Sequence, residues 1–255
     1  MDINLNGKNV VVTGAARGIG REICAGFALA GANVIAVDMR DMEETQAFVS
    51  GKQPQAKLDQ HIIDLANPSA VEQGCRAILA KYPAIDVLVN DGAIWGGLKI
   101  TPLDKIDLEE WDRVLAVNVR GSYLMIRGLL PGLRAAKASI INMASSSALR
   151  GSPFCLHYAT SKGAIIGMTR SLATELGNDG IRVNAIAPGL VDNEASRGFG
   201  GDKYAGMIQG TVAAQCLHTP LVEEEIVGTV LYLASSLASP ITGVLLTIDK
   251  GLIKY

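Results

Sequence analysis

Tyr158 and Lys162 stand one helical turn apart in the run YATSK, so on a helix both project from one face. A tyrosine serves as a base near neutral pH only when its pKa is drawn down from about 10. An ammonium within about 4–6 Å has that effect, because opposite charge favours the phenolate. The Y-x-x-x-K spacing is equally that of an ordinary amphipathic helix face, and the pair alone leaves both readings open. A second group of residues suits a phosphate. Residues 13–20 read TGAARGIG, in which Gly14, Gly18 and Gly20 let the chain turn sharply and approach a pyrophosphate at a helix N-terminus. Arg17 and Ile19 belong to the same turn and are taken as cofactor contacts. The glycines are spaced more widely than in G-x-G-x-x-G, and a plain strand-to-helix turn has the same look. Asp38 ends the next β-branched run. A carboxylate there accepts both ribose hydroxyls of an adenosine and repels a 2′-phosphate, although a turn or helix-cap role is the alternative. Arg17 and Arg40 favour a phosphate, but a carboxylate in direct ribose contact outweighs them, so the expected cofactor is NAD.

These residues need elements to hold them. Short apolar runs at 9–13, 33–38, 59–64, 85–90, 139–144, 182–187 and 244–249 alternate with helical spacing at 18–30, 41–50, 68–81, 107–134, 157–177 and 222–238. The runs are almost continuously apolar, as in strands covered on both faces. Strand–helix alternation of this kind implies right-handed crossovers and a doubly wound α/β fold: a seven-stranded parallel sheet with helices on both faces. Seven strands use the whole length, so residues 1–255 are expected to form a single domain. The glycine-rich stretch at 190–218 is the exception, and a long connection beyond the sixth strand is expected to be a substrate loop or lid.

Composition narrows the function. With 23 Lys+Arg against 25 Asp+Glu, the charge is nearly balanced, which disfavours nucleic acid or a polybasic membrane contact. No run approaches the ~18 apolar residues of a membrane helix. The start, MDINLNGKNVVVTG, does not read as a secretory signal, so a cytoplasmic protein is expected. Cys24, Cys75, Cys155 and Cys216 lie far apart in no metal or redox motif. His61, His157 and His218 have neither a G-x-S-x-G elbow nor acids at ligand spacing, so no catalytic histidine and no metal is expected.

TGAARGIG, Asp38, Asp64-Leu65, Asn90-Asp91-Gly92-Ala93, Asn118, Ser145, Tyr158-x-x-x-Lys162 and Pro188-Gly189 occur in that order. Together they resemble the short-chain dehydrogenase/reductase family over essentially the whole chain, with its Rossmann-like fold. The resemblance implies Tyr158 as general acid/base and Ser145, 13 residues before it, as the donor that holds the substrate oxygen. It implies that Lys162 binds the nicotinamide ribose and lowers the tyrosine pKa. Asn118 would bend a helix and hold a water in the proton relay. Asp64 and Leu65 would contact adenine, and Asn90 would steady the central strands. Gly92 would lie in the loop under the adenosine, with Pro188, Gly189 and Val191 at the carboxamide end. Two departures stand out. The family pattern N-N-A-G is here Asn90-Asp91-Gly92-Ala93, moving the glycine one place earlier and adding an acid near a phosphate. Asn193 stands near where the family often has threonine.

The implied reaction interconverts a secondary alcohol and a ketone, with hydride passing to or from nicotinamide. Trp95, Ser147, Leu149, Phe154 and Tyr204, together with Phe199, Met207 and Ile208, are expected to line the substrate pocket. No cationic cluster is evident among them, so a neutral, compact, cyclic or aromatic substrate is expected. The alternatives are a 3-oxoacyl-thioester reductase and, outside catalysis, a dinucleotide-sensing regulator. The family also implies a homotetramer built through the helices at 107–134 and 157–177.

Overall fold

A computed structural model describes residues 3–254. Strands β1 (Asn9–Thr13), β2 (Asn33–Asp38), β3 (Asp59–Ile62), β4 (Val87–Asn90), β5 (Ser139–Met143), β6 (Arg182–Pro188) and β7 (Leu245–Ile248) form one sheet. The order is β3-β2-β1-β4-β5-β6-β7 and every pairing is parallel. The helices are α1 (Gly18–Leu29), α2 (Glu43–Lys52), α3 (Pro68–Lys81), α4 (Leu108–Leu115), α5 (Ser122–Ala136), α6 (Ser147–Arg150), α7 (Leu156–Leu176), α8 (Glu194–Gly200), α9 (Tyr204–Ala214) and α10 (Glu224–Ala234).

Alternate residues of the inner strands point to opposite faces, and both faces are buried. Val10, Val12, Val34, Ala36, Val87 and Val89 meet Ile23 and Phe27 of α1 and Ile226 and Val230 of α10. Val11, Ile35, Val37, Leu88 and Ile140 meet Ile78 of α3, Leu129 of α5 and Leu176 of α7. The doubly wound arrangement is therefore dictated by strands with no polar face. The edge strands depart from the expected apolar continuity. In β3, DQHI, residues alternate between half-buried and exposed, since an edge strand is covered on one side only. Among the described residues, no helix is long and apolar enough to cross a membrane.

Two expectations need correction. The helix expected at 107–134 is interrupted by a π-helical turn at Ala116–Gly121, where the side chain of Asn118 bonds to Ile94 and Ser161 rather than facing solvent. The stretch at 190–218 is not a loop but mostly helical, α8 and α9, with Asn193 capping α8 through the Ser196 amide. β1 and β4 are neighbours, and from them the chain winds outward in both directions. At the carboxyl ends of these two strands the connections part and leave a cleft.

Candidate active site

A cavity of about 890 Å³ runs across those carboxyl ends, from Asp38 past Lys162 to the helices α8 and α9. Its phosphate end is built by exclusion of side chains. Gly14 (φ +72°) and Gly18 (φ +62°) occupy the left-handed region. A Cβ on Gly14 would stand 2.8 Å from the Gly92 backbone, and one on Gly20 would overlap the Gly14 carbonyl. The turn and the β4 loop are thus packed backbone to backbone, tied by the Gly92 amide donating to Thr13 Oγ1 at 2.9 Å. The shifted glycine follows from this: at position 92 a Cβ would lie 2.7 Å from Leu65 Cδ1 and 3.2 Å from Gly14 N. Asp38 accepts from the Ala16 amide at 3.1 Å and the Arg40 amide at 3.1 Å, which orients its carboxylate at the cavity wall. Ile63, Asp64, Leu65 and Ala66 line the same end, together with Arg17 and Ile19.

At the chemical end, Ser145, Tyr158 and Lys162 come together after β5 and on α7. Tyr158 is 9% exposed and Lys162 4%. Ser145 Oγ accepts from the Ser147 hydroxyl at 2.9 Å and the Ser147 amide at 3.2 Å. Lys162 Nζ donates to the Met143 carbonyl at 2.7 Å and lies 5.7 Å from the centre of the Tyr158 ring. The electrostatics differ from the expected ones. Burial pushes the Tyr158 phenol up, opposed by the Ser145 hydrogen bond and reinforced by Asp91 and Cys155. Burial likewise holds the Lys162 ammonium below its usual value, partly offset by Asp91. Desolvation is the largest influence on the phenol, and it acts against the lowering expected from the ammonium.

Asp91 carries more weight than its sequence position suggested. Its carboxyl faces the first turn of α1, where a Cβ on Gly20 would stand 2.9 Å from Oδ2. Desolvation raises its pKa, Lys162 lowers it, Asp38 and Glu223 raise it, and the Gly20 amide lowers it. Its sequence signal was the break in the N-N-A-G pattern.

Three residues placed in the site by sequence stand behind the cavity rather than on its wall. Gly20 packs under the turn, Asn90 Nδ2 donates to Asn142 Oδ1 at 2.9 Å between β4 and β5, and Asn118 clamps Ile94. Gly92, Pro188, Gly189 and Val191 reach the wall.

At the substrate end, Trp95, Ser147, Phe154, Phe199 and Met207 line the cavity. Trp95 lies between Tyr158 and Phe199, with ring centres 4.5 and 4.2 Å away, and its indole N–H donates to Ser196 Oγ at 3.3 Å. Leu149 and Tyr204 do not line it. Leu149 packs against the cluster of Ala144, Ile165, Ile166, Ala185 and Ala187, because α6 turns that face inward. The Tyr204 hydroxyl donates to Asp192 Oδ1 at 2.8 Å, inside the helical segment. Ile208 is likewise off the wall. The expected lack of cations also fails: Arg113, Arg150 and Lys203, far apart in sequence, line this end. Buried His157 sits 3.0 Å from Glu110 Oε1, which engages the acid beside them.

The family model described as Enoyl-(Acyl carrier protein) reductase matches residues 14–253. The chain is 31% identical over 256 residues to the 3-oxoacyl-[acyl-carrier-protein] reductase FabG of Thermotoga maritima, covering 98% of this chain and 100% of that one. It is 32% identical over 255 residues to the D-threitol dehydrogenase of Mycolicibacterium smegmatis, covering 98% and 94%. The structure of an NAD+-bound xylitol dehydrogenase superposes with a TM-score of 0.88 at 27% identity, covering 97% and 99%. With that fold, and with similarity along nearly its full length, the chain belongs to the short-chain dehydrogenase/reductase family of oxidoreductases.

Proposed function

We propose that the protein is an NAD-dependent oxidoreductase that interconverts a compact cyclic secondary alcohol and its ketone. The observation that carries this reading is the convergence of Ser145, Tyr158 and Lys162 on a cavity whose far end is a glycine cradle facing Asp38. The cradle fits a dinucleotide: its glycines leave space that a Cβ would fill, at the N-terminus of α1. Bound nicotinamide supplies or accepts the hydride.

The chain's own groups handle the proton. Ser145 receives hydrogen bonds from Ser147, so its own hydroxyl acts as a donor, to Tyr158 and, when substrate is bound, to the substrate oxygen. Tyr158 gives its proton to that oxygen as a ketone is reduced, and as phenolate it takes the alcohol's proton in the reverse direction. Lys162 spends one donor on the Met143 carbonyl and keeps two for ribose hydroxyls. Trp95 and Phe199 form an apolar wall beside the reacting oxygen, which suits a ring better than a flexible chain. NAD is favoured because a carboxylate on the cavity wall, Asp38, would repel a 2′-phosphate. The chain works as one catalytic unit with α8 and α9 as the lid, and as a homotetramer whose contacts include exposed Leu108, Tyr123 and Leu156.

The second reading, a 3-oxoacyl-thioester reductase, is favoured by the similarity to FabG. Steady-state assays of cyclic alcohols, cyclic ketones and an acetoacetyl thioester, each with NAD(H) and NADP(H), separate the two. The proposal expects a cyclic substrate with NAD(H) to have the highest kcat/KM, and expects Asp38→Ala to narrow the cofactor gap. A thioester with NADPH ahead of every cyclic substrate would replace it with the second reading.

A further inference from the structure

We infer that the substrate carries an anionic group, a carboxylate, held at the mouth of the pocket by Arg113, Arg150 and Lys203. This deepens the oxidoreductase reading and rests on it for the site of turnover.

Three separate segments bring these cations to one cavity. Arg113 lies on α4, one residue before Val114, which packs with Tyr158 and Phe199 at the pocket floor. Arg150 ends α6, whose first residue, Ser147, donates to Ser145. Lys203 joins α8 to α9, on a segment that lines the pocket. None of the three makes a salt bridge or side-chain hydrogen bond within the described residues. The acid on this part of the wall is Glu110, one turn before Arg113, and it is occupied by His157 at 3.0 Å. Arg17, at the phosphate turn, has Glu194 at 3.7 Å.

The mouth is therefore cationic, while the floor of Trp95, Phe199 and Leu98 is apolar. A ligand matching both has an apolar body near Tyr158 and a negative group at the rim. Guanidinium forks suit a planar carboxylate through paired N–H donors. The cations are exposed, so each is expected to contribute about ten-fold, toward the lower end for hydrogen bonds to charged groups.

The test compares 4-hydroxycyclohexane-1-carboxylate, its methyl ester and 4-hydroxycyclohexyl phosphate as substrates with NAD. The carboxylate should exceed the ester at least about ten-fold in kcat/KM. In Arg113→Gln and in Arg150→Gln the ratio should fall several-fold, and at high ionic strength it should fall toward one. An ester turned over as well as the carboxylate would overturn the inference, and so would a ratio unmoved by either variant. A phosphate ester more than ten-fold better than the carboxylate would overturn the carboxylate assignment. If none is turned over, the oxidoreductase reading for ring alcohols fails separately, and calorimetric titration of cyclohexanecarboxylate against its methyl ester decides the question. Tighter binding of the acid supports an anion site, and equal binding overturns it.

Discussion

Asn118→Ala should destabilise the protein more than any other single truncation at the site. The side chain is 1% exposed and fully engaged. Oδ1 accepts from the Ile94 amide at 2.7 Å, and Nδ2 donates to the Ile94 carbonyl at 3.2 Å and to Ser161 Oγ at 3.0 Å. Its own carbonyl accepts from the Ser122 hydroxyl at 3.1 Å, so the residue is held to α5 by its backbone and to the loop after β4 by its side chain. Alanine strands the amide and carbonyl of Ile94, at about 1–3 kcal/mol for each buried group left unpaired. Ser161 loses less, since its hydroxyl still donates to the Tyr158 carbonyl at 2.7 Å. Ile94 borders the cavity, where water can reach it, which brings the sum to about 3 kcal/mol. For a chain of this size that corresponds to a Tm lower by about 6–12 °C. Urea unfolding of both proteins measures the difference. A loss below about 1 kcal/mol would refute the clamp. Turnover lost at unchanged stability would assign Asn118 to the proton relay alone.

Asp91→Asn tests the buried charge beneath the phosphate turn. The folded protein raises the Asp91 pKa, so the unfolded chain gives up its proton first, and the folded state is penalised increasingly as pH rises above about 4. Asparagine keeps an oxygen toward the Gly20 amide without the charge. The variant should gain about 1–2 kcal/mol at about pH 8 and nothing at about pH 4, and an equal effect at both would show that charge is not the cause. Gly92→Ala should weaken NAD binding about ten-fold in a fluorescence titration, because the Gly14 backbone cannot yield to a Cβ 3.2 Å away; unchanged affinity would mean the two loops part freely. Trp95→Ala should raise hydrogen exchange in α8 and α9 by removing the contact with Phe199 and the bond to Ser196, together about 1–3 kcal/mol. Unaltered protection there would show that α8 and α9 are held by their own contacts.

Much of this was legible in the chain because the signals are local. Runs such as NVVVT and NVIAVD have no polar face, and that alone requires helices on both sides of the sheet. TGAARGIG marks a turn whose glycines are enforced by backbone packing. What stayed hidden depends on long-range placement. The π-helical turn leaves no mark in the 107–134 periodicity, because the distant Ile94 backbone draws Asn118 inward; the bend at Asn118 was legible only through the family resemblance. Leu149 and Tyr204 look like pocket residues by position, but α6 and α9 rotate them onto other partners. Arg113, Arg150 and Lys203 are single charges in unrelated segments, joined only by the cavity. The raised Tyr158 pKa comes from burial, which spacing to Lys162 does not report.

The most direct test is Tyr158→Phe, assayed for kcat/KM with a cyclic alcohol and NAD and, in the same preparation, for NAD affinity. Only the phenolic oxygen is removed. The account predicts a loss of about 10²–10⁴-fold in kcat/KM, the range of general acid–base catalysis, with the Kd for NAD within a few-fold of the wild-type value. Activity within about ten-fold of wild type would contradict it, because the proton would then be passing through another group.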